Sequence, residues 1–141
     1  MKFWDSSAVL LLLVEQSGAE KMSQLFQADE TLVVWWATRV ECASALARLE
    51  REAALTSPEV RDAFAGLDAL AELWAEVEPT QRVRDVARRL LRTHTLRATD
   101  ALPLAAAIVA SEDHPAELSF VCLDHRLTTA AIREGFHAEG E

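Results

Sequence analysis

Two spacings of apolar residues alternate along the chain and predict strands separated by helices. Short consecutive apolar or β-branched runs at residues 2–4, 31–35 and 118–123 are typical of buried strands. Apolar residues three or four positions apart predict helices elsewhere, and 77–79 is a break that could form a minimal strand. The predicted helices cover residues 6–15, 19–28, 38–54, 57–74, 81–91, 100–111 and 125–134.

Residues at the helix starts support these boundaries. Thr56 is followed by Pro58 and Glu59, which is a helix-start pattern, and Thr38 and Thr80 are positioned to cap the helices after them. Strands separated by helices require crossover connections, so the sheet should be parallel. We therefore predict an α/β fold in one domain, residues 1–141. Its central parallel sheet has about four to five short strands flanked by helices.

Charge and hydropathy narrow the classes of function. The 23 acidic residues outnumber the 14 basic ones, giving a formal net charge of -9, which argues against a surface that binds nucleic acid everywhere. A local acidic site that holds a cation remains compatible with this charge. The apolar run at 8–14 is too short for a membrane span and lacks a basic flank, so we expect a cytoplasmic protein with no membrane contact.

Four acidic residues stand in apolar surroundings, unlike the solvated acids of the polar helix faces. Asp5, Glu41 and Asp124 each follow a predicted strand, and the carboxyl ends of parallel strands share the edge where ligands bind. Asp100 opens an apolar helix and follows no obvious strand. Each of the three aspartates could instead be a helix N-cap. Glu41 is mid-helix with Ala45 at its i+4 position, so it has no local ion-pair partner.

Carboxylates gathered at one sheet edge would repel one another unless a cation lay among them. Mg²⁺ and Mn²⁺ are hard ions that prefer oxygen ligands, and either would suit such a site. A metal ion with open positions can polarise a phosphoryl oxygen and activate a water molecule. The four acids therefore favour metal-assisted chemistry on a phosphate ester.

The four acidic segments, taken in order, resemble the motifs of PIN-domain ribonucleases, especially the VapC-like toxins of bacterial toxin–antitoxin pairs. The matching segments are residues 3–10, 39–46, 96–105 and 120–127. The resemblance implies that Asp5, Glu41, Asp100 and Asp124 are the catalytic, metal-binding residues, and it places Asp100 in the cluster. Pro103 departs from the pattern, since relatives often carry His or another polar residue there. A proline fits the first turn, so it predicts a helix that begins at about Asp100.

Substrate and partner surfaces are suggested by the remaining residues. Six arginines lie between 82 and 97, and they could guide a phosphate backbone or form a solvated helix face paired with acids. Arg97 is a candidate for substrate contact because it lies one turn before Asp100, and Ser6 or Ser7 could bind a metal-bound water or a carboxylate. Helices 8–28 and 37–54 carry apolar residues in excess of what a small sheet needs, as at Trp35-Trp36. Such a surface could face another chain.

The function predicted from these observations is a Mg²⁺- or Mn²⁺-dependent endoribonuclease, the toxin of a toxin–antitoxin pair. Its partners would be an RNA substrate, a cognate antitoxin and a second copy in a homodimer, as the resemblance implies. Two alternatives stay open. One is a PIN-like nuclease of RNA or DNA processing that is not a toxin. The other is a catalytically silent α/β interaction module whose acids are helix caps.

Overall fold

Five short strands form one parallel sheet in the order β3-β2-β1-β4-β5, as seen in a computed structural model that describes residues 1–141. The strands are β1 (Lys2–Trp4), β2 (Leu32–Trp35), β3 (Ala75–Val77), β4 (Ser119–Val121) and β5 (His137–Glu139). The helices are α1 (Ser6–Leu10), α2 (Ala19–Ala28), α3 (Thr38–Arg51), α4 (Ser57–Leu73), α5 (Gln81–Thr93), α6 (Ala98–Ala110) and α7 (His125–Arg133). The predicted α/β class with a parallel sheet flanked by helices is confirmed.

The central strand β1 lies between β2 and β4, and alternate residues of these strands feed two separate cores. Phe3 and Phe120 stack with ring centroids 5.4 Å apart in the core that includes α5, α6 and α7. Trp4 and Val121 point to the other face, where α1 to α4 cover the sheet. Because both faces are covered, the central strands β1, β2 and β4 are mostly apolar, as expected for a parallel sheet, whereas the edge strands β3 and β5 carry Glu76, His137 and Glu139. No helix is both long and apolar enough to cross a membrane.

The first helix is shorter than predicted. α1 ends at Leu10, and residues 11–14 form turns in place of the continuous helix expected through 15. Leu11 and Val14 are nevertheless buried in the core. These apolar side chains pack into the core from a turn. Hydrophobic spacing alone does not distinguish a buried turn from a buried helix.

Helix α3 begins one residue earlier than the capping pattern predicted. Ala37 is the N-cap and Thr38 is the first helical residue, almost fully buried, so Thr38 is not the cap. Val40, an apolar residue of this helix, is 70 % exposed. The helix ends at Arg51, short of residue 54, because Ala53 adopts a positive φ of 54° and the Ala54 N–H returns to the Leu49 carbonyl. Thr56 and Thr80 do cap α4 and α5 as predicted.

Helix α6 begins at Ala98, two residues before the start that Pro103 predicted. Pro103 therefore lies in the second turn, where it is buried among the apolar residues of the helix. The prediction failed because the segment 98–100 already forms the first turn, with the Ala101 N–H bonded to the Arg97 carbonyl. Asp100 is consequently the third residue of α6 and not its first.

Candidate active site

A cavity of about 770 Å³ opens at the carboxyl edge of the sheet, beside the ends of β1 and β4 and the first turns of α3, α6 and α7. We call it the acidic cavity, because its walls include Asp5, Glu41, Asp100 and Asp124. Residues 95 or more positions apart thus meet here. The structure therefore brings together all four acids that the sequence singled out. It also explains how Asp100 joins them, because α6 begins at this edge.

Asp5 is the most enclosed of the four acids, with 6 % of its surface exposed. Burial raises its pKa, and the hydrogen bonds from Ser7 act in the opposite direction. The Ser7 hydroxyl donates to Asp5 Oδ2 at 2.7 Å, and the Ser7 N–H donates to the same oxygen at 3.1 Å. Asp5 is thus the N-cap of α1, as the helix-cap alternative predicted, but only one of its oxygens takes part in the cap.

Glu41 lies in the first turn of α3 and is half-buried. Burial raises its pKa to about 7, and the negative charges of Asp5 and Asp100 add to the effect. A side-chain hydrogen bond from Ser6 acts in the opposite direction and offsets only part of this rise in the pKa of Glu41. A cation that entered the cavity would stabilise the charged form of this carboxylate.

Asp100 and Asp124 occupy helix starts in different ways. Asp124 is exposed and caps α7, since the Leu127 N–H donates to its Oδ1 at 3.0 Å. Asp100 is not an N-cap, which corrects one of the three capping interpretations. From the third position of α6, its Oδ2 accepts from the Arg97 N–H at 3.3 Å. Each aspartate therefore uses an oxygen for its helix and presents the rest of the carboxyl group to the cavity.

Ser7, one of the two serines that the sequence offered as a partner for a carboxylate, supports Asp5, and only its link to Leu123 was not predicted. The Ser7 hydroxyl donates to Asp5 and accepts from the Leu123 N–H at 3.1 Å, so one side chain links β1 to the segment after β4. Ser6, the other serine proposed from the sequence, lines the cavity beside it. Cys42 and Cys122 are free and buried, and burial raises both thiol pKa values to about 12. Both thiols therefore remain protonated, and the two cysteines behave as small buried apolar residues.

The four acids do not form a ready-made cage for a metal ion. No group of three or more His, Cys, Asp or Glu side chains is close enough to hold an ion together. Their chemistry still suits a hard divalent cation, because carboxylate oxygens without hydrogen-bond donors face one cavity. Mg²⁺ is commonly held by one or two carboxylates and keeps several of its waters. The residues present fit that mode of binding better than a closed, all-protein site.

Basic residues near the acids divide into paired and unpaired groups. Arg97 lines the acidic cavity, and its side chain is 76 % exposed with Nε 3.7 Å from Asp100 Oδ2. In the arginine-rich helix α5, Arg82 pairs with Asp113 and Arg89 pairs with Glu134. The solvated, acid-paired face considered from the sequence is thus present in part. Arg48, for which the sequence suggested no role, also lines the cavity two turns beyond Glu41 on α3.

Four carboxylates at the strand ends of a parallel sheet, with helix starts around them, agree with the PIN-like nuclease architecture that the sequence motifs resemble. No family model matches the chain. Two proteins named Ribonuclease VapC45 and Ribonuclease VapC49, from two strains of Mycobacterium tuberculosis, are each 30% identical to it over 136 residues. The alignment covers 94% of this chain and 90% of each relative. The chain therefore belongs to the VapC-like family of PIN-domain ribonucleases.

Proposed function

We propose that this protein is a divalent-metal-dependent endoribonuclease that acts as the toxin of a toxin–antitoxin pair. The observation that carries the proposal is the meeting of Asp5, Glu41, Asp100 and Asp124 in one cavity. Two relatives of nearly the same length are named ribonucleases, which supports hydrolysis of RNA as the reaction. The proposal places all of the chemistry within residues 1–141, as a single nuclease domain.

All four acids would hold the cation in the proposed reaction. Asp5, held in place by Ser7, would use its second oxygen, and Glu41, Asp100 and Asp124 would bind directly or through water. A bound Mg²⁺ or Mn²⁺ supplies polarisation of the phosphoryl oxygen and a water of lowered pKa. Arg97, at the mouth of the cavity, orients the phosphate that will be cleaved, and Ser6 lies within the same wall.

The experiment that tests the site uses substitutions that keep the helix caps. Asparagine caps helices about as well as aspartate, so Asp5→Asn removes charge with little effect on the cap of α1. Asp100→Asn removes charge and keeps a side-chain oxygen that can accept from the Arg97 N–H. We expect both variants to fold, as judged by circular dichroism, and to lose metal-dependent cleavage of total cellular RNA and inhibition of growth. Asp62→Asn is the matched control, since Asp62 is exposed on α4 and outside the acidic cavity.

The outcomes separate the competing interpretations. If Asp5→Asn abolishes cleavage while the fold is kept, the acids are more than helix caps and the silent-module alternative fails. If cleavage survives in both Asp5→Asn and Asp100→Asn, the proposed site is wrong. A processing nuclease would lose cleavage in the same variants, but its expression would not arrest growth.

An antitoxin and a second copy of the chain are the partners that we propose. Trp36 is 51 % exposed and Val40 is 70 % exposed, and Val40 lines the acidic cavity, so apolar surface lies beside the site. Part of the apolar excess noted in the sequence is buried in the core, including Leu11, Val14 and Trp35. A basic antitoxin segment would suit the net charge of -9, with an arginine entering the acidic cavity. Mixing with the cognate basic peptide should abolish cleavage, and unchanged activity would contradict this arrangement.

A further inference from the structure

Arginines without an acidic partner cluster beside the acidic cavity. Arg126 and Arg133 form no ion pair, although the chain carries 23 acidic residues. Both line a cavity of about 270 Å³ between the segment 94–96 and helix α7. We call this cavity, together with Arg97 and His125 at its mouth, the basic groove. Its positive charge contrasts with the net charge of the whole chain.

The basic groove is continuous with the acidic cavity. A third concavity is lined by Asp100, Asp124, His125, Arg126 and Arg97. Asp100 and Asp124 are shared with the acidic cavity, whereas His125 and Arg126 are shared with the cavity along α7. A single strand that lies across the acids can therefore extend into the basic groove.

The spacing of the two arginines suits contacts with separate phosphates. Arg126 and Arg133 are seven residues apart on one face of α7, which corresponds to about 10 Å along the helix axis. Thr129 and Ala130 lie between them and are small enough to leave the groove open. Two guanidinium groups at this separation can contact different phosphates of one strand.

The neighbouring acid does not cancel this charge. Glu134 follows Arg133 directly, but its carboxylate is bound by Arg89 at 2.9 and 3.1 Å and by His94 at 2.7 Å. These hydrogen bonds lower the pKa of Glu134 and turn its carboxylate toward α5. Arg133 is therefore left exposed to solvent and free to bind an anion.

We propose that the basic groove binds the RNA strand on one side of the cleaved phosphodiester, with Arg126 and Arg133 contacting its phosphates. The inference rests on the proposed ribonuclease function, because it assumes that the cleaved phosphate lies at the acids. A polyanion repelled by the remaining carboxylates of the protein is held on this side by the unpaired arginines. Arg126 and Arg133 are positioning residues, since they lie beyond the reacting phosphate.

The test measures binding separately from cleavage. Asp5→Asn serves as the parent, so that a labelled single-stranded RNA of mixed sequence stays intact while its dissociation constant is measured by fluorescence anisotropy over a range of salt concentrations. Arg126→Ala/Arg133→Ala is made in this parent. Each phosphate contact to a single strand contributes about 0.7 to the slope of log K against log salt, so we expect the slope to fall by about 1.4. Affinity at low salt should drop on the order of tenfold.

Two further variants control for charge and fold. Arg61→Ala/Arg84→Ala removes the same charge from exposed, unpaired arginines that lie outside the groove, and it should leave the slope unchanged. Arg126→Lys/Arg133→Lys keeps the charge and should restore the slope to that of the parent. If the groove and control variants lose the same slope, only general charge acts and the proposal is overturned.

Failure of this inference is distinguishable from failure of the proposed function. If the wild type cleaves cellular RNA and the groove variant binds RNA as its parent does, the function stands and the groove proposal fails. If the groove variant keeps RNA affinity but loses affinity for the antitoxin, the groove is a protein-binding surface and the proposal is again wrong. If neither the wild type cleaves RNA nor the parent binds it, both proposals fail together.

Discussion

Asp5 shows how a single neighbouring side chain, Ser7, can hold a buried carboxylate that lies beside other carboxylates. Its burial raises the pKa, and the hydroxyl and N–H of Ser7 offset part of that increase. The sequence predicts the acid from its place after a strand, but it does not distinguish Ser6 from Ser7 as its support. Neighbouring residues of a helix point about 100° apart, and only the path of α1 decides which of them faces Asp5.

Removing the Ser7 hydroxyl should weaken the fold. Ser7→Ala leaves the buried Asp5 with one hydrogen bond fewer and the Leu123 N–H without its acceptor. Unsatisfied buried groups of this kind lower stability by about 1–3 kcal/mol, which urea denaturation can measure. Ser17→Ala, at an exposed position, is the control and should be neutral. Equal stability of the two variants would show that Ser7 does not support Asp5.

Glu41 makes the metal-free protein sensitive to pH. Its pKa rises from 4.5 to about 7 on folding, so the folded state binds the proton more tightly than the unfolded state between these values. The free energy of unfolding in the presence of a chelator should therefore fall as the pH rises from about 4.5 to about 7. Thermal denaturation across this range should show a weaker pH dependence for Glu41→Gln than for the wild type. The raised pKa of Asp5 acts in the same direction and remains in the variant.

Helices and strands with a strong hydrophobic pattern could be predicted from the sequence. Those whose existence or end depends on tertiary packing could not. β1, β2 and β4 are recognisable from runs such as Leu32–Trp35, which bury every residue. β5 has the sequence His137-Ala138-Glu139, which has neither alternation nor β-branched residues, and it forms because β4 offers a free edge. The early end of α1 is likewise decided by tertiary packing, which the hydrophobic spacing of 11–14 does not reveal.

The start of helix α7 allows capping and chemistry to be measured apart. Asp124→Asn keeps a side-chain acceptor for the Leu127 N–H, whereas Asp124→Ala removes it. The alanine variant should unfold with about 1 kcal/mol less free energy than the asparagine variant, since loss of an N-cap costs this much.

Both Asp124 variants should lose RNA cleavage, because both remove the carboxylate from the acidic cavity. Cleavage assays on the two proteins, run beside their urea curves, supply the comparison. If Asp124→Asn kept cleavage and only the less stable Asp124→Ala lost it, Asp124 would act only as a helix cap.

The last strand, β5, is joined to the first strand, β1, by an ion pair. Lys2 of β1 reaches Glu139 of β5 at 2.8 and 2.9 Å, past the intervening strand β4. Gly140 then has a φ of +121°, and a Cβ at this position would lie 2.6 Å from the Cys122 carbonyl oxygen. Cys122 immediately precedes the segment that carries Asp124, so the packing of β5 positions one wall of the acidic cavity.

A side chain at residue 140 should therefore be destabilising. Gly140→Ala introduces both a disfavoured φ and a contact with backbone, so we expect stability to fall by about 1–3 kcal/mol in urea denaturation. Gly66→Ala is an informative comparison, because Gly66 lies inside α4 and its new Cβ meets only the side chain of Leu13, at 3.4 Å. Alanine favours a helix over glycine by roughly 0.5–1 kcal/mol, so that variant should be more stable than the wild type.

The order of the sheet also governs when nuclease activity can arise during synthesis. β1 pairs with β4, whose residues are 117 positions later in the chain, since Lys2 is opposite Ser119. Asp5 and Asp124 cannot meet before that pairing forms, so a nascent chain that has made only β1 to β3 carries acids with no assembled site. Long-range parallel pairing is slow to form. The newly made protein thus passes through an inactive interval in which a partner can bind it before it can cut RNA.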